Sequence, residues 1–273
     1  MKNLIFTTAD INYFDFFYNE WYVSLNENND LKNIDVLVLD YGFSKEQLQI
    51  LKKTNIKVLK CVNDGFPNSI KFRDIVPFLK KHKYDQVMTT DGGDIIFQGD
   101  ISALLKENKD SYRAVCEEKS LPFVKLLAGD SFTKDDLEKI KKVLEDTKMI
   151  NAGVVVAPYK KFISMSNEIC SLIKKHTFGP DQIAINYIFY RDGFHELENI
   201  YNFMFTTNNL YFRIKKGVFY LSKNKKPLIV HNTGKRDITR IIKQFGYGEG
   251  KNTYSKVQLF FTRLFIRFGN IFR

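Results

Sequence analysis

The 273-residue sequence predicts an α/β fold in which a mainly parallel central sheet is flanked by helices. Strand-like and helix-like segments alternate through the first third of the chain, the order that parallel strands joined by helical crossovers produce. The strand-like segments are short, nearly continuous apolar runs, as strands covered on both faces require. With 44% apolar residues the chain can bury the core of one large domain.

In order, "NLIFTT" (3–8) is a short apolar strand opening into polar "ADIN", and "YFDFFYNEWYVSL" (13–25) has the length and aromatic content of a buried helix. "IDVLVLD" (34–40) is a β-branched strand. Ser44 with Gln47 three residues on predicts a capping box at the start of "KEQLQILKK". Strand 56–60, helix 69–82 containing Pro77 and strand 84–90 follow. The second half predicts helices at 133–147, 159–176 and 181–191, with Thr133 and Asp136 boxing the first. It also predicts a buried strand at 149–158, a hairpin about Lys216-Gly217 and a last strand, "PLIVH" (227–231). Ligands of such sheets bind at the carboxyl ends of strands, where Asp10, Asp40 and Asp91 fall.

The net charge of +11 is concentrated at the end of the chain: nine basic residues and two acids from Lys235 onward give +7, leaving +4 for the other 234 residues. That argues against a body built to wrap nucleic acid and for a basic tail that meets something anionic. On a helical wheel from Lys256, Val257, Phe260, Phe261, Leu264, Phe265, Phe268, Ile271 and Phe272 share one arc, while Lys256, Arg263 and Arg267 cluster opposite part of it. A basic amphipathic helix at 251–273 is expected to lie on an anionic membrane surface or to pack on protein. Cys61, Cys116 and Cys170 fit neither a disulfide framework nor a zinc site. With no long apolar run, the expected location is cytoplasmic, peripheral on the inner face of the membrane if the helix binds there.

The chemistry is expected in "TTDGGDIIFQGD" (89–100). Two carboxylates at a strand end make a hard-oxygen site suited to Mn²⁺ or Mg²⁺. Asp91 and Asp94 are three apart and would point to opposite faces of a regular strand. Gly92-Gly93 is expected to supply the bend that brings them together and to let a ligand approach the backbone. Asp100 reads as a cap for the helix beginning "ISALL".

Several blocks, in order along the chain, resemble the retaining glycosyltransferases of family 8: "FTTADINY" (6–13), "KFRDI" (71–75), "DIIFQGDI" (94–101), "INAGVVVAP" (150–158), "DQIAIN" (181–186) and "VHNTG" (230–234). Those enzymes have the GT-A fold and transfer sugars from UDP-sugars with Mn²⁺. The resemblance implies a GT-A domain over 1–250. It implies metal ligands Asp94 and His231, with Asp91 as a variant, because Gly92 stands where the family has its first aspartate. It further implies donor contacts from Thr8, Asp10, Asn12, Tyr13, Arg73, Gly92, Gly93, Gly153, Gly234 and Lys235, and a catalytic polar set of Asn151, Asp181 and Gln182. After "HNTG" the chain has "KRD" in place of the family's phosphate-binding lysine pattern.

The implied function is metal-dependent transfer of a hexose from a UDP-sugar to a glycan or lipid-linked glycan acceptor, with retention, in surface polysaccharide or lipopolysaccharide-type biosynthesis. A catalytically silent GT-A binding module and a nucleotidyltransferase stand as alternatives. The latter is expected to carry a glycine-rich basic loop after the first strand, which "TTADIN" is not.

Overall fold

The computed structural model describes residues 2–268 apart from 119–123, 125–126, 235–239 and 243. Strands β1 (Asn3–Ala9), β2 (Ile34–Asp40), β3 (Lys57–Lys60) and β4 (Gln86–Thr90) are followed by β5 (Ile95–Phe97), β6 (Tyr112–Cys116), β7 (Ile150–Pro158) and β8 (Phe194–Glu196). All but β5 form one seven-stranded sheet in the order β3-β2-β1-β4-β7-β6-β8. Four of its six pairings are parallel; β7 runs antiparallel between β4 and β6.

Alternation along the strands divides the core. Leu4, Phe6, Leu37 and Leu39 face one apolar cluster, and Ile5, Val36 and Val38 the other. The first is covered by helices Pro67–Lys81, Tyr159–Leu172 and Pro180–Asp192, through residues such as Phe72, Phe162 and Phe189. The second is covered by the helical run from Phe14 to Asn28, which buries Phe17, Trp21 and Leu25. The middle of this run, Phe17–Tyr22, is π-helical, a wider turn that an apolar pattern does not announce. Trp21 Nε1 donates to Thr90 Oγ1 at 2.9 Å and fastens the run to the end of β4.

The predicted capping box closes in both halves, Gln47 N to Ser44 Oγ and Ser44 N to Gln47 Oε1. At Thr133 only half of it forms, because the Thr133 hydroxyl itself donates to Asp136 Oδ2. Two helices end earlier than the pattern suggests. Lys134–Val143 stops before Asp146, which has φ +56°, and Tyr159–Leu172 stops where Ile173 becomes extended. Asp100 accepts from Ser102 N and Oγ just ahead of the helix Ser102–Lys106.

Strands β9 (Phe203–Met204), β10 (Phe212–Lys215), β11 (Val218–Leu221) and β12 (Ile229–His231) build a second layer. β10 and β11 form the expected hairpin, with Lys216 and Gly217 at φ +51° and +76°, both left-handed as a tight two-residue turn demands. β12 lies between β5 and β9, pairing His231 with Ile95 and with Met204. The helix Lys256–Phe268 packs on this layer through Leu259, beside Phe205, Phe212 and Phe219, and through Arg263, which donates to the carbonyls of Phe205 and Leu210. Val257, Phe260 and Phe261 are about 60% exposed. The side chains of Phe265 and Phe268, and all of Ile271 and Phe272, lie outside the described residues. No helix among the described residues is long and apolar enough to cross a membrane.

Candidate functional site

The acidic turn runs from the end of β4 to the start of β5. Asp91 N donates to Gly153 O at 3.0 Å, and Asn232 N donates to Asp94 O at 2.8 Å, so β7 and the segment after β12 hold its two ends. The expected reason for the glycine pair is corrected here: neither Gly92 nor Gly93 has a positive φ. Their requirement is space. A Cβ on Gly92 would lie 2.5 Å from the carbonyl oxygen of Thr8, and one on Gly93 2.5 Å from the Tyr13 ring. The turn is pressed against the loop after β1, where Asp10 Oδ1 accepts from Asn12 N and Tyr13 N. Thr8, Asp10, Asn12 and Tyr13 are therefore neighbours of the acidic turn, and Asn12 is exposed.

Asp91, Asp94 and His231 converge, with one ligand atom from each lying within 4.8 Å of the others. His231 Nε2 is 3.4 Å from Asp94 Oδ1 and 3.9 Å from Asp91 Oδ2. Asp94 Oδ1 is buried and makes no hydrogen bond. Two carboxylates and one imidazole nitrogen, with a buried oxygen left unsatisfied, fit a divalent cation that accepts oxygen and nitrogen donors, Mn²⁺ or Mg²⁺. Burial works to raise the Asp94 pKa, but His231 and then Arg240 outweigh it and hold it below the usual value. His231 is the mirror case: burial opposes its charge, yet the carboxylates of Asp94 and Asp91 keep its pKa raised.

A chain of amides sets which ring nitrogen faces the carboxylates. The backbone N–H of Gly153 can only donate, and it donates to Asn151 Oδ1. Asn151 must then present Nδ2 to Glu117 Oε1, and Asn202 must donate its Nδ2 to the same Asn151 Oδ1. That leaves Asn202 Oδ1 to accept from His231 Nδ1 at 3.1 Å. With Nδ1 carrying the proton, Nε2 is the lone-pair nitrogen once the ring is neutral, the arrangement a metal-bound histidine needs. Gly153 is tied to the same ring sterically, since a Cβ there would sit 2.2 Å from His231 Cε1.

Asp181 lies buried at the first turn of the helix Pro180–Asp192; burial raises its pKa, Lys71 opposes this and Asp91 adds to it. Gln182 follows it, its carbonyl accepting from Asn186 Nδ2. Gly234 has φ +115° and its carbonyl accepts from Arg240 Nε at 3.0 Å. Lys235 and its neighbour Arg236 lie outside the described residues.

Arg73 is not brought to the cluster. Its guanidinium is held by Asp64 and Asp74, each at 2.7–3.2 Å. The cation on the site-facing side of that helix is Lys71, fully buried, with Nζ 3.6 Å from Asp91 Oδ1 and no hydrogen bond. The signal was present in the sequence: Lys71 shares a helical stripe with buried Ile75 and Leu79, whereas Arg73 does not. Glu117 carries a similar signal, since it directly follows a buried strand as Asp91 does; burial pushes its pKa up to about 7. Asn202 and Arg240, whose Nη2 donates to Asp94 Oδ2, carry no local pattern that marks them.

No family model matches the chain, and no curated protein matches it in sequence. Solved structures do. The chain is similar to the galactosyltransferase LgtC, solved in complex with donor and acceptor sugar analogs, with a TM-score of 0.55 and 18% identity over 87% of this chain and 91% of that one. It is similar to GlyE of Streptococcus pneumoniae TIGR4, a glycosyltransferase, with a TM-score of 0.57 and 16% identity over 97% of this chain. It is also similar to the bifunctional glycosyltransferase WbbM, with a TM-score of 0.56 and 16% identity over 86% of this chain. The chain spans 60% of the GlyE structure and 46% of the WbbM structure. Likeness at this level of identity speaks for architecture and not for chemistry. The chain has the GT-A fold that these glycosyltransferases share, a mainly parallel sheet flanked by helices.

Proposed function

We propose that the protein is a metal-dependent glycosyltransferase that moves a hexose from a UDP-sugar to a glycan or lipid-linked glycan, with retention, in the assembly of a surface polysaccharide. The observation that carries this reading is the convergence of Asp91, Asp94 and His231 beside the loop after β1, at the carboxyl end of the parallel strands of a GT-A fold. That LgtC was solved with donor and acceptor sugar analogs supports a nucleotide-sugar donor and a sugar acceptor here.

Asp91, Asp94 and His231 are the residues that would hold Mn²⁺ or Mg²⁺. When bound, that ion offsets charge on the diphosphate leaving group. The chain's own groups do the rest. Asp10, Asn12 and Tyr13 are the groups we assign to the nucleoside, supported by the close packing of the loop after β1 on the acidic turn through Thr8, Gly92 and Gly93. Lys71 brings a buried positive charge between Asp91 and Asp181. Asp181 and Gln182 are the groups we assign to the side on which positive charge develops at the anomeric carbon, and Asn151 serves that set through its hold on Asn202 and His231. The acceptor oxygen forms its bond to that carbon on the face from which the diphosphate departs, and the hydroxyl proton passes to the departing phosphate oxygen.

The exposed Val257, Phe260 and Phe261 on the basic terminal helix are the surface we assign to an anionic bilayer, which keeps a lipid-linked acceptor near the site. Incubation with Mn²⁺ and a panel of UDP- and GDP-sugars, followed by slow donor hydrolysis, tests the main reading. A UDP-sugar is turned over, and Asp94→Ala abolishes that turnover. Failure to bind or hydrolyse any UDP-sugar would sink the proposal.

A further inference from the structure

Arg240 reaches the candidate metal centre from the segment after β12. It donates to Asp94 Oδ2 through Nη2, to the carbonyl of Gly234 through Nε at 3.0 Å and toward the carbonyl of Gly93 through Nη1 at 3.5 Å. Asp94 is its one charged partner among these, and the pair is shielded, with side-chain exposures of 13% and 11%. The two oxygens of one carboxylate are thus divided: Oδ2 is held by the guanidinium, while Oδ1 faces His231 and makes no hydrogen bond.

Counting charge shows what this division does. Around the cluster, Asp91 and Asp94 stand against Lys71, which Asp181 also faces, and against Arg240, whose one carboxylate partner among the described residues is Asp94, so Arg240 already offsets the Asp94 charge. A divalent cation on Asp91, Asp94 and His231 adds two positive charges beside a guanidinium that is already there. Like charges at such range, shielded from water, repel strongly. Arg240 therefore opposes entry of the cation. Once the cation is in, the excess positive charge can be relieved by an anion, and a guanidinium fork matches two phosphate oxygens at once.

We infer that Arg240 stands in for the cation at Asp94 and couples cation binding to nucleoside diphosphate binding, pairing with the carboxylate in the bare site and with the diphosphate in the loaded one. This rests on the metal-dependent nucleotide-sugar reading proposed above. It assigns the diphosphate's protein cation to a residue outside the "HNTGKRD" stretch (231–237) in which the sequence pattern would place it.

The test is a linkage measurement that needs no turnover. Mn²⁺ affinity is measured from the electron paramagnetic resonance signal of free Mn²⁺, with and without UDP, in the wild type, Arg240→Gln and Arg240→Lys. Removing the charge should tighten Mn²⁺ binding in the absence of UDP and shrink the gain in Mn²⁺ affinity that UDP brings by about tenfold, a coupling of ordinary size. Arg240→Lys keeps the charge without the fork and should fall between. Should Arg240→Gln fail to fold, the lysine variant reads the same sign. Mn²⁺ affinity that is unchanged or weaker without UDP, together with an intact gain from UDP, overturns the inference and leaves the metal reading standing. If no variant binds Mn²⁺ with or without UDP, the metal reading itself falls and the inference with it.

Discussion

At the scale of single residues, the orientation of the His231 ring traces back to one backbone amide. Because Gly153 N–H fixes Asn151, and Asn151 fixes Asn202, the imidazole of His231 has no choice of tautomer. Gly153→Ala should expose this dependence. The new methyl would meet His231 Cε1 and Nδ1 at 2.2 and 2.8 Å. Displacing the ring should weaken Mn²⁺ binding by about tenfold or more, as losing the support of a metal-bound histidine does. Calorimetric titration with Mn²⁺ checks it. Glu117 gives a prediction in pH. Its folded value of about 7 lies above the 4.5 of a free carboxyl. The folded chain therefore keeps a proton that the unfolded chain has lost, and stability falls as pH rises across that window, by about 3 kcal/mol. Urea denaturation at pH 5 and pH 8 should show that loss, and Glu117→Gln should remove most of it. Asp94 and His231 could be picked out from the sequence because each lies in a block of recognisable order. Asn202 and Arg240 could not, since a role that exists only through a partner far along the chain leaves no mark in spacing.

Elements were legible where their periodicity is strong. The four parallel strands, the Ser44 box and the hairpin at Lys216-Gly217 follow from apolar runs, a cap and a left-handed turn. Helix ends and the π-helical stretch did not, because they are decided by what packs against them. The helix Pro67–Lys81 carries its own marker for the inward cation, since Lys71 lies on the stripe of Ile75 and Leu79 and Arg73 does not. Ser44→Ala should lower stability by about 1 kcal/mol through loss of the box, read as a drop in the thermal midpoint. The terminal helix separates two roles by face. Phe260→Asp with Phe261→Asp should reduce binding to anionic vesicles by about tenfold or more while leaving the thermal midpoint in place, because insertion of an exposed apolar face is what drives such binding. Leu259→Asp, on the packed face, should lower the midpoint. Vesicle binding that survives the double substitution would refute the membrane assignment.

At the scale of the whole molecule, the alternation of strands and helices is enough for the fold class, whereas the direction of the 149–158 strand is not written in its residues. β7 enters the sheet antiparallel, between β4 and β6, and a strand's direction depends on tertiary pairing rather than on its own residues. The reversal places the start of β7, with Asn151 and Gly153, at the same edge as the end of β4, with Asp91. The small sheet then adds the third member of the Asp91, Asp94 and His231 cluster. His231 reaches the acidic turn because β12 pairs with β5 through three residues, Ile229 to Phe97, Val230 to Ile96 and His231 to Ile95. These partners are far apart in the chain, and contacts of that kind form late because their loops are costly to close. The β5–β12 pairing joins residues about 134 positions apart, farther than the β1–β4 or β4–β7 pairings, so the central sheet is expected to form before the candidate metal centre. Mn²⁺ added to refolding protein should be taken up as the last event, lagging the recovery of Trp21 fluorescence, so that capture of the ion serves as a signal that assembly is complete.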